Sequence, residues 1–296
     1  MIKGFHYVTL ADMMAMIRRN IYKIPHDIDF VLPVPRSGLL PGTFIAELIG
    51  VPMVDVHSFL AGARPIGGNR LNFTHRMPHE KPKVLVIDDT IFSGTAMKRT
   101  KNILSVVASK YDFIYCVAYK EGPGQKDIDI YLEDNSIYPL NNIQVLYEYN
   151  LFHHYPHIMD MFIFDYDGIF CLDPPNDHNV EEYTNYIKNA TPLFIPSTPI
   201  GKICTFRITK YEDISRQWLA DHNITYKELI MFKADSWQDR DSKHIGPTEF
   251  KANYYKNDNA LLFIESEDWQ ARRIYELTGK QVLCTTTNRL YGEISL

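Results

Sequence analysis

The sequence predicts an α/β protein of two domains, each with a parallel sheet flanked by helices. Helical periodicity alternates with short apolar strands along the chain, which is typical of parallel sheets. The 296 residues are roughly twice the length of a common domain, and the hydrophobic content of 45% is enough for two cores. In each half, one apolar strand runs into a pair of carboxylates, which predicts one polar site in each domain.

The first domain is expected to span residues 1–152. Its helices are predicted at Thr9–Arg19 and Leu39–Ile49, and its strands begin near Phe30, Pro52, Val84, Phe113 and Ile143. Asn150–Pro156 interrupts the last of these strands, so the hinge between the domains falls between Tyr149 and Asp160.

The second domain is expected over residues 158–296 and repeats the alternation. Strands are predicted from Met161, Lys202 and Ala260 onward, with a closing strand at Gln281–Thr285. The helices of this domain are predicted at Val180–Asn189, Arg216–Asn223 and Trp269–Thr278.

The segment Val84–Thr95 reads V-L-V-I-D-D-T-I-F-S-G-T, a buried strand followed by a small-residue loop that enters a helix. Asp88 and Asp89 end the apolar run, and open α/β sheets bind ligands at the carboxyl ends of their strands. Adjacent carboxylates can accept hydrogen bonds from the vicinal hydroxyls of a ribose, directly or through Mg²⁺. The loop and the helix N-terminus offer the components of a phosphate cradle at Ser93, Gly94 and Thr95.

This string resembles the phosphoribosyl pyrophosphate (PRPP) motif of the type I phosphoribosyltransferases. In that family the loop after the first core strand grips pyrophosphate, and Arg36-Ser37-Gly38 matches its position. An arginine can bind phosphate oxygens through two parallel hydrogen bonds, and a glycine allows close backbone approach. The resemblance therefore implies PRPP binding by Arg36, Ser37, Gly38, Asp88, Asp89, Thr90, Ser93, Gly94 and Thr95.

The stretch Ala61–Met77 is rich in glycine and basic residues and lacks periodicity. It resembles the mobile loop that closes over the transition state in these enzymes. Arg64 and Arg70 would then act catalytically by stabilising the leaving diphosphate; the alternative is that both are solvated loop arginines. Phe92 stands where relatives that use 6-oxopurines carry an Asp, and because a Phe cannot act as a base, hypoxanthine and guanine are disfavoured as acceptors.

The segment Met161–Gly168 reads M-F-I-F-D-Y-D-G, a short apolar strand ending in two carboxylates spaced by one residue. This spacing resembles the first motif of the haloacid dehalogenase (HAD) superfamily, whose members are mostly Mg²⁺-dependent phosphohydrolases. The resemblance implies that Asp165 attacks phosphorus to form an aspartyl-phosphate and that Asp167 is the acid/base for the leaving alcohol. On its own, D-x-D is also common as a strand-ending turn.

The remaining HAD motifs can be matched in order. Thr205 supplies the hydroxyl of the second motif, and Lys251 supplies the lysine of the third, with Lys243 as the alternative. A single helix between the first two strands implies a minimal cap. The fourth motif usually carries two adjacent aspartates after a strand. Here the corresponding segment, A-L-L-F-I-E-S-E-D, has Glu265, Ser266, Glu267 and Asp268 instead. The Mg²⁺ ligands implied by the resemblance are therefore Asp165, Asp167, Glu265, Glu267 and Asp268.

Together the two resemblances imply a bifunctional enzyme. The first domain would transfer a phosphoribosyl group from PRPP to an acceptor, and the second would remove the 5-phosphate of the resulting phosphomonoester. The acceptor is either a heterocyclic base or a sugar hydroxyl on a glycan or secondary metabolite. The alternative is a HAD phosphatase regulated by a first domain that senses PRPP or a nucleotide. Many relatives of the first domain pair as dimers, which leaves a homodimer open.

Composition and charge exclude several other classes. The formal net charge is −5, from 31 Lys and Arg against 36 Asp and Glu, and the basic residues are scattered, so no nucleic-acid partner is expected. The four cysteines lack C-x-x-C spacing and are expected to be reduced core residues. No run approaches the ~18 apolar residues of a membrane span, and no apolar signal segment opens the chain. A soluble cytoplasmic protein is therefore expected.

Overall fold

The structure is a computed structural model that describes residues 1–67, 80–174 and 180–294. The chain divides into two compact units. The N-terminal unit comprises Val8–Val145, and the C-terminal unit comprises Met1–Tyr7 together with the chain from Leu146 onward. These limits differ from the predicted domains, 1–152 and 158–296, because Phe5 and Leu151 both pack into the core of the C-terminal unit.

The strands, in chain order, are β1 (Gly4–Val8), β2 (Phe30–Pro33), β3 (Lys83–Ile91), β4 (Asp112–Lys120), β5 (Ile130–Asp134), β6 (Ile143–Tyr147), β7 (Phe162–Phe164), β8 (Ile200–Ile208), β9 (Tyr226–Phe232), β10 (Leu262–Glu265), β11 (Gln281–Cys284) and β12 (Arg289–Tyr291). The α-helices are α1 (Leu10–Asn20), α2 (Leu39–Ile49), α3 (Val56–Leu60), α4 (Thr95–Leu104), α5 (Ile137–Leu140), α6 (Pro156–Met159), α7 (Val180–Asn189), α8 (Glu212–Asp221), α9 (Trp237–Ser242), α10 (Pro247–Asn257) and α11 (Asp268–Thr278). Short 3₁₀ turns lie at Ile21–Lys23, Ser105–Val107, Pro123–Asp127, Glu148–Asn150 and Thr209–Tyr211.

The N-terminal unit is built on a four-stranded sheet in the order β2-β3-β4-β5, and every neighbouring pair is parallel. The apolar run Val84–Ile87 of β3 is fully buried between its neighbours. The strand predicted at Pro52 is not formed, and Met53 makes only isolated bridges to Val31 and Ile66. Pro52 has no N–H to donate to a ladder, and Asp55 caps α3 directly afterwards.

The C-terminal unit holds a six-stranded sheet in the order β12-β11-β10-β7-β8-β9. All pairs are parallel except β11 with β12. The predicted mixed α/β fold with parallel sheets is therefore confirmed. Because β7 lies between β10 and β8, the residues that follow these three strands meet at one edge of the sheet. Within the described ranges, no helix is long and apolar enough to cross a membrane.

Helix positions follow the predicted periodicity closely. α2 and α7 have the predicted limits, and α1 begins one residue later than predicted, after a capping box between Thr9 and Asp12. α8 begins at Glu212, four residues before the predicted start at Arg216, because the 3₁₀ turn at Thr209–Tyr211 leads directly into it.

The first strand is held in the C-terminal unit by the side chain of Gln281. Its Oε1 accepts a hydrogen bond from the Phe5 amide at 2.7 Å, and its Nε2 donates to the Phe5 carbonyl at 2.8 Å. The Nε2 also donates to the Gly292 carbonyl at 3.2 Å. All these atoms are buried or partly buried, so one amide satisfies backbone groups from both ends of the chain.

Replacing Gln281 with Leu should destabilise the C-terminal unit by about 2–4 kcal/mol, because the buried N–H and C=O of Phe5 would lose their partners. Calorimetric melting of the full chain measures the effect. Gln217→Leu, at an exposed position on α8, is the matched control and should change stability by less than about 0.5 kcal/mol. Equal melting temperatures for the two variants would contradict the role assigned to Gln281.

Candidate active sites

Asp88 and Asp89 lie in the carboxyl-terminal half of β3, and both are buried. The strand is longer than its apolar run and continues through Thr90 to Ile91. Its neighbour β2 ends opposite Ile87, so the two carboxylates lie just beyond the end of β2. In parallel sheets this edge is where ligands bind.

The two carboxyl groups interact strongly because they are adjacent and buried. The Asp89 amide donates to Asp88 Oδ1 at 2.9 Å. Burial, and then the negative charge of Asp89, raise the pKa of Asp88 to about 8. The pair therefore keeps one proton at neutral pH, and a bound cation or a group of hydroxyl donors would favour its full ionisation.

The loop after β3 presents hydroxyls next to a helix N-terminus. Ser93 Oγ and Thr95 Oγ1 are 3.0 Å apart, and both side chains are exposed. Gly94 has φ of +80°, a conformation that disfavours any side chain, and it is the N-cap residue of α4. The exposed hydroxyls and the first amides of α4 together form a site suited to an anion.

The turn at residues 35–38 lies against the same end of β3. A Cβ at Gly38 would stand 2.5 Å from the Val34 carbonyl oxygen and 3.0 Å from Asp88 Oδ1, so only glycine allows this close approach. Arg36 is exposed in this turn, and Ser37 is half-buried. The structure thus brings the predicted pyrophosphate loop and the predicted PRPP motif together.

The predictions for this unit also concern Arg64, Arg70 and Phe92. Arg64 is exposed in the segment after α3, and Arg70 lies outside the described residues. Phe92 follows β3 and is 58% exposed. Its ring and carbonyl lie beside Gly122, where an added Cβ would collide with both.

In the C-terminal unit, the side chain of Lys251 joins two strand-end carboxylates. Asp165 directly follows β7 and Glu265 ends β10, and these neighbouring parallel strands bring the two residues to one edge. Lys251 Nζ donates to Asp165 Oδ2 and to Glu265 Oε2, each at 2.7 Å, and to Gln270 Oε1 at 3.0 Å. The three charged side chains are all buried. Of the predicted residues, Asp165, Lys251 and Glu265 are therefore in direct contact.

Burial sets the electrostatics of this triad. It raises the pKa of Asp165 well above the usual value, and the charge of Lys251 opposes that rise only in part. Burial alone would lower the pKa of Lys251. The negative charges and hydrogen bonds of Asp165 and Glu265 outweigh that effect, so the pKa of Lys251 is raised. The lysine is thus a fixed positive charge at the strand edge.

Asp167 is held by residues that the sequence motifs did not identify. Arg207 Nε donates to Asp167 Oδ2 at 3.0 Å and Nη2 donates to Oδ1 at 2.5 Å. The Tyr186 hydroxyl donates to Oδ1 at 2.6 Å. Burial would raise the pKa of Asp167, but the charge and hydrogen bonds of Arg207 outweigh it and lower the pKa.

Thr205, Glu267 and Asp268 have different surroundings. Thr205 is buried on β8, and its Oγ1 accepts a hydrogen bond from the backbone amide of Arg207 at 3.2 Å. The Glu267 amide donates to Glu265 Oε1 at 3.3 Å. Asp268 Oδ1 instead accepts hydrogen bonds from the hydroxyls of Thr287 and Tyr291. Asp268 is thus engaged away from the Lys251 triad.

The carboxylates at this edge of the sheet are oxygen donors of the kind that Mg²⁺ prefers. Asp165 and Glu265 converge on the ammonium of Lys251, so their oxygens already share one cation. The pKa of Asp173 is raised, first by burial and then by the negative charges of Asp167, Glu267 and Glu265. The surroundings of Asp173 therefore carry an excess of negative charge. In the described ranges, no three His, Cys, Asp or Glu side chains are arranged to hold a metal ion. Mg²⁺ often takes one or two carboxylates and completes its shell with water and phosphate, so the oxygen donors fit it.

Asp88→Asn should stabilise the N-terminal unit more at pH 8 than at pH 5. A carboxyl whose pKa is about 8 when folded and about 3.9 when unfolded stabilises the fold at low pH, and this contribution is lost as pH rises between the two values. The gain at pH 8 should be on the order of a few kcal/mol. Thermal melts in chelator at several pH values measure it. Asp112→Asn, at an exposed position, should show no such trend.

Lys251→Met should cost about 3–5 kcal/mol of stability, because two buried carboxylates would face each other without their cation. The additional change Glu265→Gln should restore part of this loss. Lys256→Met, at an exposed position on the same helix, is the control. Denaturant unfolding of the full chain measures all three, and a Lys251 variant as stable as the control would refute the buried triad.

No protein-family model matches the chain, and no curated protein matches it either. Among solved structures, orotate phosphoribosyltransferase from Aeropyrum pernix matches with 16% identity and a TM-score of 0.31, over 43% of this chain and 71% of that one. Xanthine-guanine-hypoxanthine phosphoribosyltransferase from Helicobacter pylori matches with 14% identity and a TM-score of 0.33, over 49% and 95%. A Neisseria gonorrhoeae protein with bound ppGpp matches with 14% identity and a TM-score of 0.34, over 51% and 91%. All three TM-scores are below 0.5, so the function must be inferred from the residues of the chain itself.

Proposed function

We propose that the N-terminal unit transfers a phosphoribosyl group from PRPP to an acceptor and that the C-terminal unit removes the 5-phosphate from the product. The observation that carries the proposal is the presence, in each unit, of a buried acidic site at the carboxyl edge of a parallel sheet. One site adjoins the N-terminus of α4, whose first amides are suited to an anion, and the other contains a buried lysine.

In the transfer step, a nucleophilic atom of the acceptor forms a bond to C1 of the ribose as the bond from C1 to pyrophosphate breaks. Asp88 and Asp89 accept hydrogen bonds from the ribose hydroxyls and stabilise positive charge at C1. The amides and hydroxyls around Gly94 hold the 5-phosphate. Arg36 binds the departing pyrophosphate. Phe92 has no titratable group, which favours acceptors that need no base from this loop.

In the hydrolytic step, Asp165 forms a bond to phosphorus as the bond from phosphorus to the 5-oxygen breaks, and Asp167 gives the leaving oxygen a proton. Water then attacks the aspartyl-phosphate, returns a proton to Asp167 and frees Asp165 and phosphate. Lys251 and the hydroxyl of Thr205 balance the charge of the phosphoryl group. Because burial raises the pKa of Asp165 while Arg207 lowers the pKa of Asp167, a proton must leave Asp165 and one must reach Asp167 before the first step; direct transfer from Asp165 to Asp167 would meet both needs.

Mg²⁺ belongs to the proposal as a cofactor of the hydrolytic site. Asp165 would hold it through Oδ1, the oxygen opposite the one that Lys251 binds, and the carboxylates of Glu265 and Glu267 would add negative charge around it. The ion would supply positive charge to the phosphate oxygens.

³¹P NMR of the full chain with PRPP, Mg²⁺ and a pooled set of bases and sugar acceptors tests both steps. The wild type should release pyrophosphate and then phosphate only when an acceptor is present. Asp165→Asn should release pyrophosphate normally and accumulate the phosphoribosyl product. Asp89→Asn should lose pyrophosphate release by about 10²-fold or more, whereas Asp112→Asn should keep it.

The same experiment separates the regulatory alternative. A chain that hydrolyses phosphomonoesters, responds to PRPP and never consumes it would be a regulated phosphatase. In that case Arg64→Ala should leave the response intact, since a sensor has no leaving group to stabilise. Loss of pyrophosphate release in Arg64→Ala, with PRPP still bound, would support transfer.

A further inference from the structure

The guanidinium of Arg207 is the most completely enclosed charge in the C-terminal unit for which the motifs give no role. Arg207 lies on β8 two residues beyond Thr205, and its side chain is 1% exposed. It stacks on the ring of Tyr166 at 3.7 Å from the centroid. Such a charge is costly to bury unless it is fully paired.

Arg207 is 1% exposed, and its guanidinium is committed to partners inside the unit. Nε and Nη2 donate to the two oxygens of Asp167, and Nη1 donates to Ser215 Oγ at 3.2 Å. A planar fork bound in this way fixes both the position and the rotation of the carboxylate. Arg207 could bind a phosphate only by releasing Asp167.

Tyr186 completes the arrangement from α7. Its hydroxyl lies within hydrogen-bonding distance of both Asp167 Oδ1 and the Leu172 carbonyl oxygen. The carboxylate is therefore held from β8 on one side and from α7 on the other. The carboxylate of Asp167 cannot rotate about the Cβ–Cγ bond without breaking at least two of these hydrogen bonds.

We propose that Arg207, assisted by Tyr186, is the positioning residue that orients Asp167 for proton transfer in phosphomonoester cleavage. The inference rests on the proposed hydrolytic function. Arg207 touches no substrate atom, so its effect on the reaction passes through Asp167 and concerns the bond to the leaving oxygen. A residue that only stabilised the fold would affect all substrates alike.

The test compares two phosphomonoesters of unlike leaving group, ribose 5-phosphate and p-nitrophenyl phosphate. Arg207→Lys keeps the charge but cannot form the two-point contact. It should lower kcat on ribose 5-phosphate by about 10²-fold and leave KM within about 3-fold. The loss on p-nitrophenyl phosphate should be about ten-fold smaller, because nitrophenolate departs without a proton.

A double-mutant cycle then asks whether Arg207 acts through Asp167. In an Asp167→Asn background, Arg207→Lys should cause no further loss of kcat. Tyr186→Phe removes one hydrogen bond and leaves the ion pair, so it should show the same substrate preference with a smaller loss, even if Arg207→Lys fails to fold. Arg216→Lys, at an exposed ion pair on α8, is the control for both esters.

Each result has one meaning. Equal losses on the two esters, or losses that add in the Asp167→Asn background, would overturn the positioning role and leave the phosphatase proposal standing. A rise in KM alone would assign Arg207 to substrate binding and also overturn it. A wild type that cleaves neither ester would overturn the phosphatase proposal itself, together with the role of Arg207.

Discussion

The C-terminal unit depends on one buried ammonium group. Two strands that lie side by side, β7 and β10, each deliver a carboxylate to the same enclosed edge, and burial raises the pKa of Asp165 there even with Lys251 beside it. Lys251 reaches both from α10, which fixes the distance of that helix from the sheet. The position of α10 against the ends of β7 and β10 is therefore tied to one buried group of charges.

The N-terminal unit meets a similar difficulty in another way. Asp88 and Asp89 are neighbours on one strand, and the high pKa of Asp88 allows the pair to keep a proton. An acidic site balanced by a proton can exchange it for a cation or for sugar hydroxyls, whereas a site balanced by a lysine keeps its charge throughout. This difference agrees with the functions proposed for the two units, which are transient sugar binding in the first and phosphoryl chemistry in the second.

Much of this architecture could be predicted from the sequence because the positions of most strands and helices follow from local apolar periodicity. The apolar runs before Asp88 and Asp165 indicated both pairs of carboxylates, and the lysine matched to the third motif contacts Asp165. Arg207 and Tyr186 were missed because their roles depend on how β8 and α7 pack, which no short motif records. The alternation Thr205-x-Arg207 was the available signal, since residues two apart on a strand share a face. The contact between Phe5 and Gln281 spans 276 positions and has no local signature.

The attachment of the first strand to Gln281 bears on how the chain is made. Residues 1–7 leave the ribosome long before Gln281, the residue whose side chain binds Phe5. The unit Val8–Val145 can form its own core during synthesis, whereas residues 1–7 do not yet have the side chain of Gln281 as a hydrogen-bonding partner. The C-terminal unit can complete its hydrogen bonds to the first strand only after Gln281 has been synthesised, so this unit closes its core late even though its first residues are made early.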